Sequence, residues 1–262
     1  SGAAGNCVGS TFTVTVTVNP IATIANKTAS TCSGTGFTVT PSNAGGDIVP
    51  TGTTYAWSAP TVTGNLTGGA SATGQASITG TLTNPTNTPQ TATYTVTPRS
   101  GTCNGPTFTV VATINPKPLV PNQTATICSG ETFTTAPTNN APTTIIPTGT
   151  TYTWTATGSA NASGYSATGS GSINDVLSNT DPLINATVTY LIIPTGDGCT
   201  GEPFTLTVTV TPNPVLTASA TNTTICSGQN AAIALSSNLT GTRYTWTSTK
   251  SLGITGNSSR TS

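Results

Sequence analysis

The chain contains no histidine and no methionine, and only 5% of its 262 residues are charged. Histidine is the side chain most often used to move protons near neutral pH, and acid–base catalysis otherwise needs paired carboxylates. The few acidic residues are scattered singly along the chain. We therefore predict no catalytic residue and conclude from the sequence that this chain is not an enzyme.

Charge of either sign is also scarce, with six basic side chains against six acidic ones. Nucleic-acid binding needs a basic stripe, and attachment to a membrane surface needs a basic patch. No apolar run approaches the length of a transmembrane helix. We therefore predict no nucleic-acid partner and no membrane insertion of this segment.

Metal and cofactor motifs are missing as well. There is no Cys-x-x-Cys pair and no phosphate-binding loop, so we predict no zinc site, no redox motif and no cofactor. The aspartates lack the dense spacing of oxygen ligands that calcium loops need, which leaves only a calcium site in a linker open. The aspartates are Asp47, Asp175, Asp181 and Asp197.

Turn residues and alternating threonine-valine runs are abundant, with 28 glycines and 19 prolines. The run that starts at Cys103 places an apolar residue at every second position from Phe108 to Ile114 and ends at Pro116. A period of two predicts a β-strand with one buried face. Proline cannot continue a strand ladder, so the prolines predict strand ends followed by stiff linkers. These linker prolines are Pro20, Pro116, Pro118, Pro212 and Pro214.

Four landmarks recur with a period of about 96 residues. The first cysteine of each copy, the first linker proline, a Cys-Ser-Gly triplet and a Tyr-x-Trp pair all repeat at nearly this spacing. Their positions are Cys7, Cys103 and Cys199; Pro20, Pro116 and Pro212; Cys32, Cys128 and Cys226; and Tyr55/Trp57, Tyr152/Trp154 and Tyr244/Trp246. Self-similarity at a fixed period indicates a tandem array.

The period predicts the domain boundaries and the fold. Residues 1–19 are predicted to be the last strand of a preceding repeat, 20–115 and 116–211 two full repeats, and 212–262 the N-terminal part of a further one. About 96 residues suit a seven-stranded immunoglobulin-like β-sandwich and are too many for a solenoid coil. We therefore predict an all-β chain of tandem sandwich domains with essentially no helix.

The second full repeat shows the expected strands most clearly. The alternation and the turn residues predict strands over 119–127, 131–136, 150–155, 173–177, 186–193 and 203–210. A stretch rich in glycine, serine and alanine, 157–172, predicts a long loop that holds a weak strand. The last two strands are predicted to form a hairpin across 194–201.

The six cysteines predict disulfide bonds formed outside the cytoplasm. Pairing within each domain, Cys32 with Cys103 and Cys128 with Cys199, would restrain each sandwich, and we prefer it. Pairing across each linker, Cys7–Cys32, Cys103–Cys128 and Cys199–Cys226, would use all six cysteines. The sequence leaves both alternatives open.

The Tyr-x-Trp pairs have two interpretations. Residues two apart on a strand share a face, so each pair could form a stacking platform for a sugar ring. The alternative, which we prefer, makes Tyr55, Trp57, Tyr152, Trp154, Tyr244 and Trp246 anchors of the sandwich cores, as the strand tryptophan is in immunoglobulin domains.

The combination of these motifs resembles a known family. The segments Pro116–Gly130 and Ile146–Trp154, followed later by Gly198-Cys199 and the alternating last strand, are similar to the PKD-like, immunoglobulin-like repeats of giant cell-surface adhesins of Bacteroidota, including gliding-motility adhesins. The resemblance implies a surface filament that is exported by the type IX secretion system and contacts a substratum.

We therefore expect an extracellular, cell-surface stalk or adhesive segment. Its expected partners are neighbouring repeats of the same chain, a polysaccharide or abiotic surface, and the motility or secretion machinery of the cell envelope. A glycan-binding sandwich module and a self-assembling surface fibre, joined through its threonine-valine edge strands, are the alternatives. A spacer in a secreted hydrolase is a weaker fourth hypothesis.

Overall fold

The computed structural model describes residues 10–134, 136–256 and 259–261, and within these ranges it contains strands and turns but no helix. The chain divides between Pro116 and Lys117 into two compact units. Each unit has its own apolar core. The predicted all-β architecture with tandem sandwich domains is confirmed.

In unit 1 the described residues form ten strands, most of them short. They are β1 Lys27–Cys32, β2 Gly36–Val39, β3 Thr54–Trp57, β4 Thr61–Val62, β5 Thr67–Gly68, β6 Ala72–Gln75, β7 Ile78–Thr83, β8 Gln90–Ser100, β9 Cys103–Asn104 and β10 Phe108–Asn115. The two longest are β8 and β10.

Two sheets face each other in unit 1. The larger sheet has the order β1-β10-β8-β3-β6, with β4 and β9 also paired to β8, and the smaller has the order β2-β7-β5. Along β10 every second residue is buried, so Val110 and Ile114 point inward, whereas the threonines lie on the opposite face. These two inward side chains pack against Phe37, Ile78 and Leu82 of the smaller sheet in one cluster. The core therefore lies between the two sheets.

Unit 2 repeats this plan and continues beyond it. Its strands are β11 Gln123–Cys128, β12 Thr151–Gly158, β13 Ala162–Ser163, β14 Thr168–Ser170, β15 Ser178–Asn179, β16 Ala186–Gly196, β17 Cys199–Thr200, β18 Phe204–Thr211, β19 Leu216–Ala220, β20 Ile233–Ser237, β21 Thr245–Trp246 and β22 Arg260–Thr261. The main sheet has the order β11-β18-β16-β12-β14, with β17 paired to β16.

The strands predicted for the second repeat differ from the observed ones chiefly where alternation is weak. The predicted strand over 131–136 is reduced to an isolated bridge between Thr132 and Val176. The predicted strand over 119–127 begins later, at Gln123. The stretch 157–172 holds two short strands, β13 and β14. The predicted hairpin exists, and β17 lengthens it by pairing with the end of β16.

The first long strand of each unit pairs in parallel with the last. Lys27 lies beside Val110 and Cys32 beside Asn115, and in unit 2 the same register joins β11 to β18. An asparagine side chain fixes the start of each pair: Asn26 Oδ1 accepts a hydrogen bond from Thr109 N, and Asn122 Oδ1 accepts one from Thr205 N, each at 2.8 Å. The chain therefore enters and leaves each sandwich on neighbouring parallel strands.

Residues 10–19 form no strand, although the sequence predicts the last strand of a preceding repeat there. Phe12 is 86% exposed, and the valines that alternate after it are exposed too. The equivalent strand β10 is held between β1 and β8. The segment 10–19 pairs with no such strands, and residues 1–9 lie outside the described part of the chain.

Candidate functional site

The Tyr-x-Trp pair of unit 1 lies in the core. Tyr55 and Trp57 are 2% and 6% exposed. The indole Nε1 of Trp57 donates a hydrogen bond to the Ala70 carbonyl at 3.1 Å. Edge-to-face contacts join Trp57 to Tyr94 and Tyr55 to Phe108, at ring-centroid distances of 6.5 and 6.2 Å. Such aromatic pairs stabilise a core beyond simple burial.

The pair in unit 2 is less tightly enclosed. Trp154 is 8% exposed, while Tyr152 is half-buried and packs at the margin of the core. A cavity of about 640 Å³ lies beside them, lined in part by Pro137, Ile192 and Phe204. Burial raises the pKa of Tyr152 above its usual range. Since only 8% of Trp154 is exposed, its indole ring does not offer an open face for a sugar ring.

The third pair does not act as a core anchor, which corrects the expectation for these residues. Trp246 is 39% exposed and Tyr244 is half-exposed. In the two complete repeats the strand that carries the tryptophan, β3 or β12, pairs with an eleven-residue strand, β8 or β16. The described residues of 212–262 contain no counterpart of that strand, so nothing of this kind covers Trp246.

The intradomain disulfides predicted from the sequence are not formed. Cys103 and Cys128 are free thiols, whereas Cys32 and Cys199 are disulfide-bonded. Cys32 lies beside Asn115 at the end of β10, while Cys103 lies in the β8–β9 hairpin beyond the start of β10. The strand between them spans about 23 Å at about 3.3 Å per residue. Disulfide-bonded cysteines need Cα atoms within about 7 Å, so this pairing is sterically excluded.

The alternative pairing across each linker is not formed either at the cysteines that the structure describes. Cys226 is a free thiol, like Cys103 and Cys128, so the pairs Cys103–Cys128 and Cys199–Cys226 are not formed. The remaining pair of that alternative involves Cys7, which lies outside the described residues.

The Cys-Ser-Gly triplet is a turn that holds an asparagine the sequence analysis missed. Thr35 N donates to the Cys32 carbonyl, and Gly34 adopts a positive φ of 77°, which a glycine accepts readily. The hydroxyl of Ser33 accepts a hydrogen bond from the backbone N of Asn84 at 2.9 Å. Ser129 and Asn179 repeat this contact in unit 2.

Both asparagines are hydrogen-bond centres. Asn84 is 1% exposed, and its Nδ2 donates to the carbonyls of Thr88 and Ile114 at 2.8 and 2.9 Å. In unit 2, Nδ2 of Asn179 donates to the carbonyls of Ile184 and Val210. A buried polar group is tolerated only when its partners are supplied, as they are here. The signal in the sequence is an asparagine two residues after a core leucine in both repeats.

Two of the aspartates that were considered as calcium ligands, Asp47 and Asp175, have structural partners. Asp47 Oδ2 lies 2.6 Å from Lys27 Nζ, and Asp47 Oδ1 accepts a hydrogen bond from Ala25 N at 2.9 Å. The hydrogen bond from Lys27, followed by that from Ala25, lowers the pKa of the Asp47 carboxyl. In unit 2, Asp175 accepts hydrogen bonds from Ser166 and from the hydroxyl of Tyr190.

No group of three or more potential metal ligands occurs within the described ranges, and no helix there is long and apolar enough to cross a membrane. Among the linker prolines, Pro116, Pro118 and Pro212 are buried, while Pro20 and Pro214 are exposed. The Cys-Ser-Gly turns and the buried asparagines thus hold neighbouring strands together.

The chain belongs to the PKD-like domain family. Two copies of the PKD-like domain match, over residues 29–118 and 125–214, which together cover more than half of the chain. Domains of this type are typically non-catalytic structural modules. With disulfide-bonded cysteines, they are consistent with an extracellular adhesive or structural repeat.

Among solved structures, the first two cadherin domains of human mucin-like protocadherin are 15% identical, with 73% of this chain and 98% of that chain covered at a TM-score of 0.26. Four cadherin domains of protocadherin gamma B7 are 11% identical, with 88% and 65% covered at a TM-score of 0.28. Likenesses this distant transfer no property of cadherins to this chain. No curated protein matches.

Proposed function

We propose that the chain is a stalk or adhesive repeat segment of a long extracellular surface adhesin. The observation that carries the proposal is the parallel pairing of the first and last long strands in both units. When tension pulls β1 back from its start and β10 forward from its end, the two strands slide along each other. All hydrogen bonds between them are then loaded at once, and not one after another.

A side-chain clamp strengthens the point where tension enters each unit. Asn26 and Asn122 bond the last strand just before the parallel pair begins. The proposal therefore assigns the domain repeats 20–115 and 116–211 to a load-bearing array, with the proline linkers limiting the bend between repeats.

Single-molecule pulling on the intact chain, with its disulfides reduced, tests this function. We expect two distinct rupture events, each lengthening the chain by about 250–300 Å, since about 89 residues of each unit unfold at about 3.4 Å per residue. Asn26→Ala should lower the rupture force of one event and Asn122→Ala that of the other, so each variant serves as the control for its partner. Gradual extension without a rupture event would refute a load-bearing role.

We further propose the finer assignment implied by the resemblance: a cell-surface adhesin of Bacteroidota, exported by type IX secretion and active in attachment or gliding motility. Its substratum would be a polysaccharide or an abiotic surface. Antibodies against the repeats should label intact cells, and cells in which the repeats are deleted should lose attachment or movement. Labelling only after permeabilisation would overturn the surface location.

The cavity beside Tyr152 favours a second candidate function, binding of a polysaccharide by unit 2. In that case Tyr152→Ala should abolish retardation of the chain in gels that contain the polysaccharide. Tyr55→Ala in unit 1 is the comparison, because Tyr55 is buried in the core. Unchanged retardation in Tyr152→Ala would exclude this candidate.

A further inference from the structure

The cavity of unit 2 lies where this unit packs less tightly than unit 1. In unit 1 the four residues of β2 pair with β7, and Pro41, which follows β2, is buried. In unit 2 the described residues of the equivalent region form an isolated bridge between Thr132 and Val176, and Pro137 is half-buried. Pro137 lines the cavity, whose volume of about 640 Å³ lies within the range of about 300–1,000 Å³ that is usual for ligand sites.

A hydrogen-bond donor without a partner lies at this cavity. The indole Nε1 of Trp154, a residue that lines the cavity, is buried and has no hydrogen-bond partner among the described residues. The equivalent donor of unit 1, Nε1 of Trp57, bonds the Ala70 carbonyl. The corresponding carbonyl of unit 2, that of Ala167, accepts a hydrogen bond from Ala156 N at 2.8 Å. Since a buried unpaired donor is costly, a ligand that supplies an acceptor gains a hydrogen bond that the chain itself does not make.

The lining of the cavity indicates the chemistry of that ligand. None of the described residues that line the cavity is charged. Pro137, Ile192 and Phe204 form an apolar part of the wall, and Ser170 and Ser172 supply hydroxyls. Because burial of an unpaired charge is unfavourable, we expect a charged sugar such as a uronate to bind poorly. An acyl group matches the lining, since its methyl group is apolar and its carbonyl oxygen accepts a hydrogen bond.

We infer that unit 2 binds uncharged polysaccharides whose sugar units carry acyl groups, and that the acyl oxygen accepts a hydrogen bond from Trp154 Nε1. The inference rests on the second candidate function, polysaccharide binding by unit 2. Acetyl esters and acetamides present the same methyl and carbonyl groups, so either can supply the acyl group. Because Gly169 of β14 lies against the indole ring, binding requires a small displacement of β14, a three-residue strand at the edge of its sheet.

Nuclear magnetic resonance of the full chain with isotope-labelled tryptophan tests the inference. The chain has three tryptophans, so it gives three indole N–H signals, which the variants Trp57→Phe and Trp154→Phe assign. The probe is an acetylated xylan oligosaccharide, and its control is the same material after mild alkali has removed the acetyl esters. We expect the acetylated form to shift the Trp154 indole proton downfield, as a new hydrogen bond does, and to leave the Trp57 signal in place.

Titration with the same two probes measures the contribution of the acyl group. Removal of the acetyl esters should weaken binding about five- to tenfold, as expected for the loss of one hydrogen bond. Trp154→Phe should abolish this difference between the probes, whereas Trp57→Phe should preserve it. Oligosaccharides of N-acetylglucosamine, compared with glucose oligosaccharides of the same linkage, test the acetamide in the same way. Tighter binding of the ester, the amide or both supports the inference and identifies the source of the acyl group.

Three results would overturn the inference. Equal binding of the acylated and unacylated probes would do so and leave polysaccharide binding by unit 2 in place. A Trp154 signal that stays unshifted when the acetylated probe is bound would have the same meaning. If none of the probes binds, the inference fails whatever gel retardation shows for other polysaccharides. The rupture events are measured without ligand, so none of these results bears on the load-bearing function.

Discussion

Two equivalent tyrosines show how a single residue changes the quality of the core. Tyr94 and Tyr190 occupy the same place on β8 and β16, but the Tyr94 hydroxyl has no hydrogen-bond partner, whereas that of Tyr190 donates to Asp175 Oδ2 at 2.7 Å. In unit 1 a glycine, Gly80, takes the place of Asp175, and a Cβ atom there would lie 2.5 Å from the Tyr94 hydroxyl. Unit 1 thus has close packing where unit 2 has a hydrogen bond.

The matched substitutions Tyr94→Phe and Tyr190→Phe should have different effects. Tyr190→Phe removes a hydrogen bond to a half-buried carboxylate and should lower the free energy of unfolding by about 1–2 kcal/mol. Tyr94→Phe removes a buried hydroxyl that has no partner, and should leave the stability unchanged or raise it by up to about 1 kcal/mol. Urea unfolding of each variant measures both values. Equal losses in the two variants would contradict the assignment.

The ion pair of Asp47 predicts an acid sensitivity confined to unit 1. Since Lys27 and the Ala25 amide lower the pKa of Asp47 in the folded state, its stabilising contribution is complete above the unfolded pKa, about 4. The contribution is lost as the pH falls from there through the folded pKa. Hydrogen exchange should therefore speed up at β1 amides at low pH more than at β11 amides.

Asp47→Asn provides the control for this acid sensitivity. The substitution should reduce the acid-induced increase in the exchange rate of β1 amides, because the asparagine side chain does not titrate. Unit 2 has threonine at the equivalent position, so β11 is the internal reference. Equal acid sensitivity of β1 in the variant and the parent chain would exclude Asp47 as the cause.

Asn84 and Asn179 should be the most costly polar positions to replace. Asn84→Ala leaves the carbonyls of Thr88 and Ile114 without their side-chain donor inside unit 1. A loss of about 2–3 kcal/mol is expected, since each buried group left unsatisfied costs about 1–3 kcal/mol. Thermal unfolding measures it, and Asn43→Ala, at an exposed loop that bonds Val49, is the milder comparison. Similar losses at both positions would argue against a buried centre.

At the scale of strands, the alternation of apolar residues and threonines predicts where strands lie, but the sequence does not predict which strands pair. The sequence predicts β16 and β18 closely, because Val188, Tyr190 and Val208 alternate with threonines and lie in the core. The strand predicted over 131–136 fails, since only Phe133 of that stretch is a large core residue. No feature of the sequence shows that β1 pairs with β10 in parallel, because that depends on contacts between residues about 83 positions apart.

Two glycines let the residues that precede β1 and β11 approach the β8–β9 and β16–β17 hairpins. A Cβ atom on Gly105 would lie 2.1 Å from the Ala22 carbonyl oxygen, and one on Gly201 would lie 2.3 Å from that of Pro118. Gly105→Ala and Gly201→Ala should each destabilise their unit by about 1–3 kcal/mol through overpacking against backbone. Gly36→Ala, whose Cβ would lie 3.3 Å from the Thr81 hydroxyl and 3.8 Å from the Gly80 carbonyl oxygen, is the control for loss of glycine.

At the scale of the whole chain, the repeat period was visible in the sequence and the disulfide pattern was not. Nearly equal spacings of cysteine, proline and tryptophan are enough to show tandem sandwiches. A spacing of 71 residues between Cys32 and Cys103 suggests the two ends of one loop, but parallel pairing puts these residues at opposite ends of the sheet. Pairing of cysteines is thus decided by strand order, which period and composition do not encode.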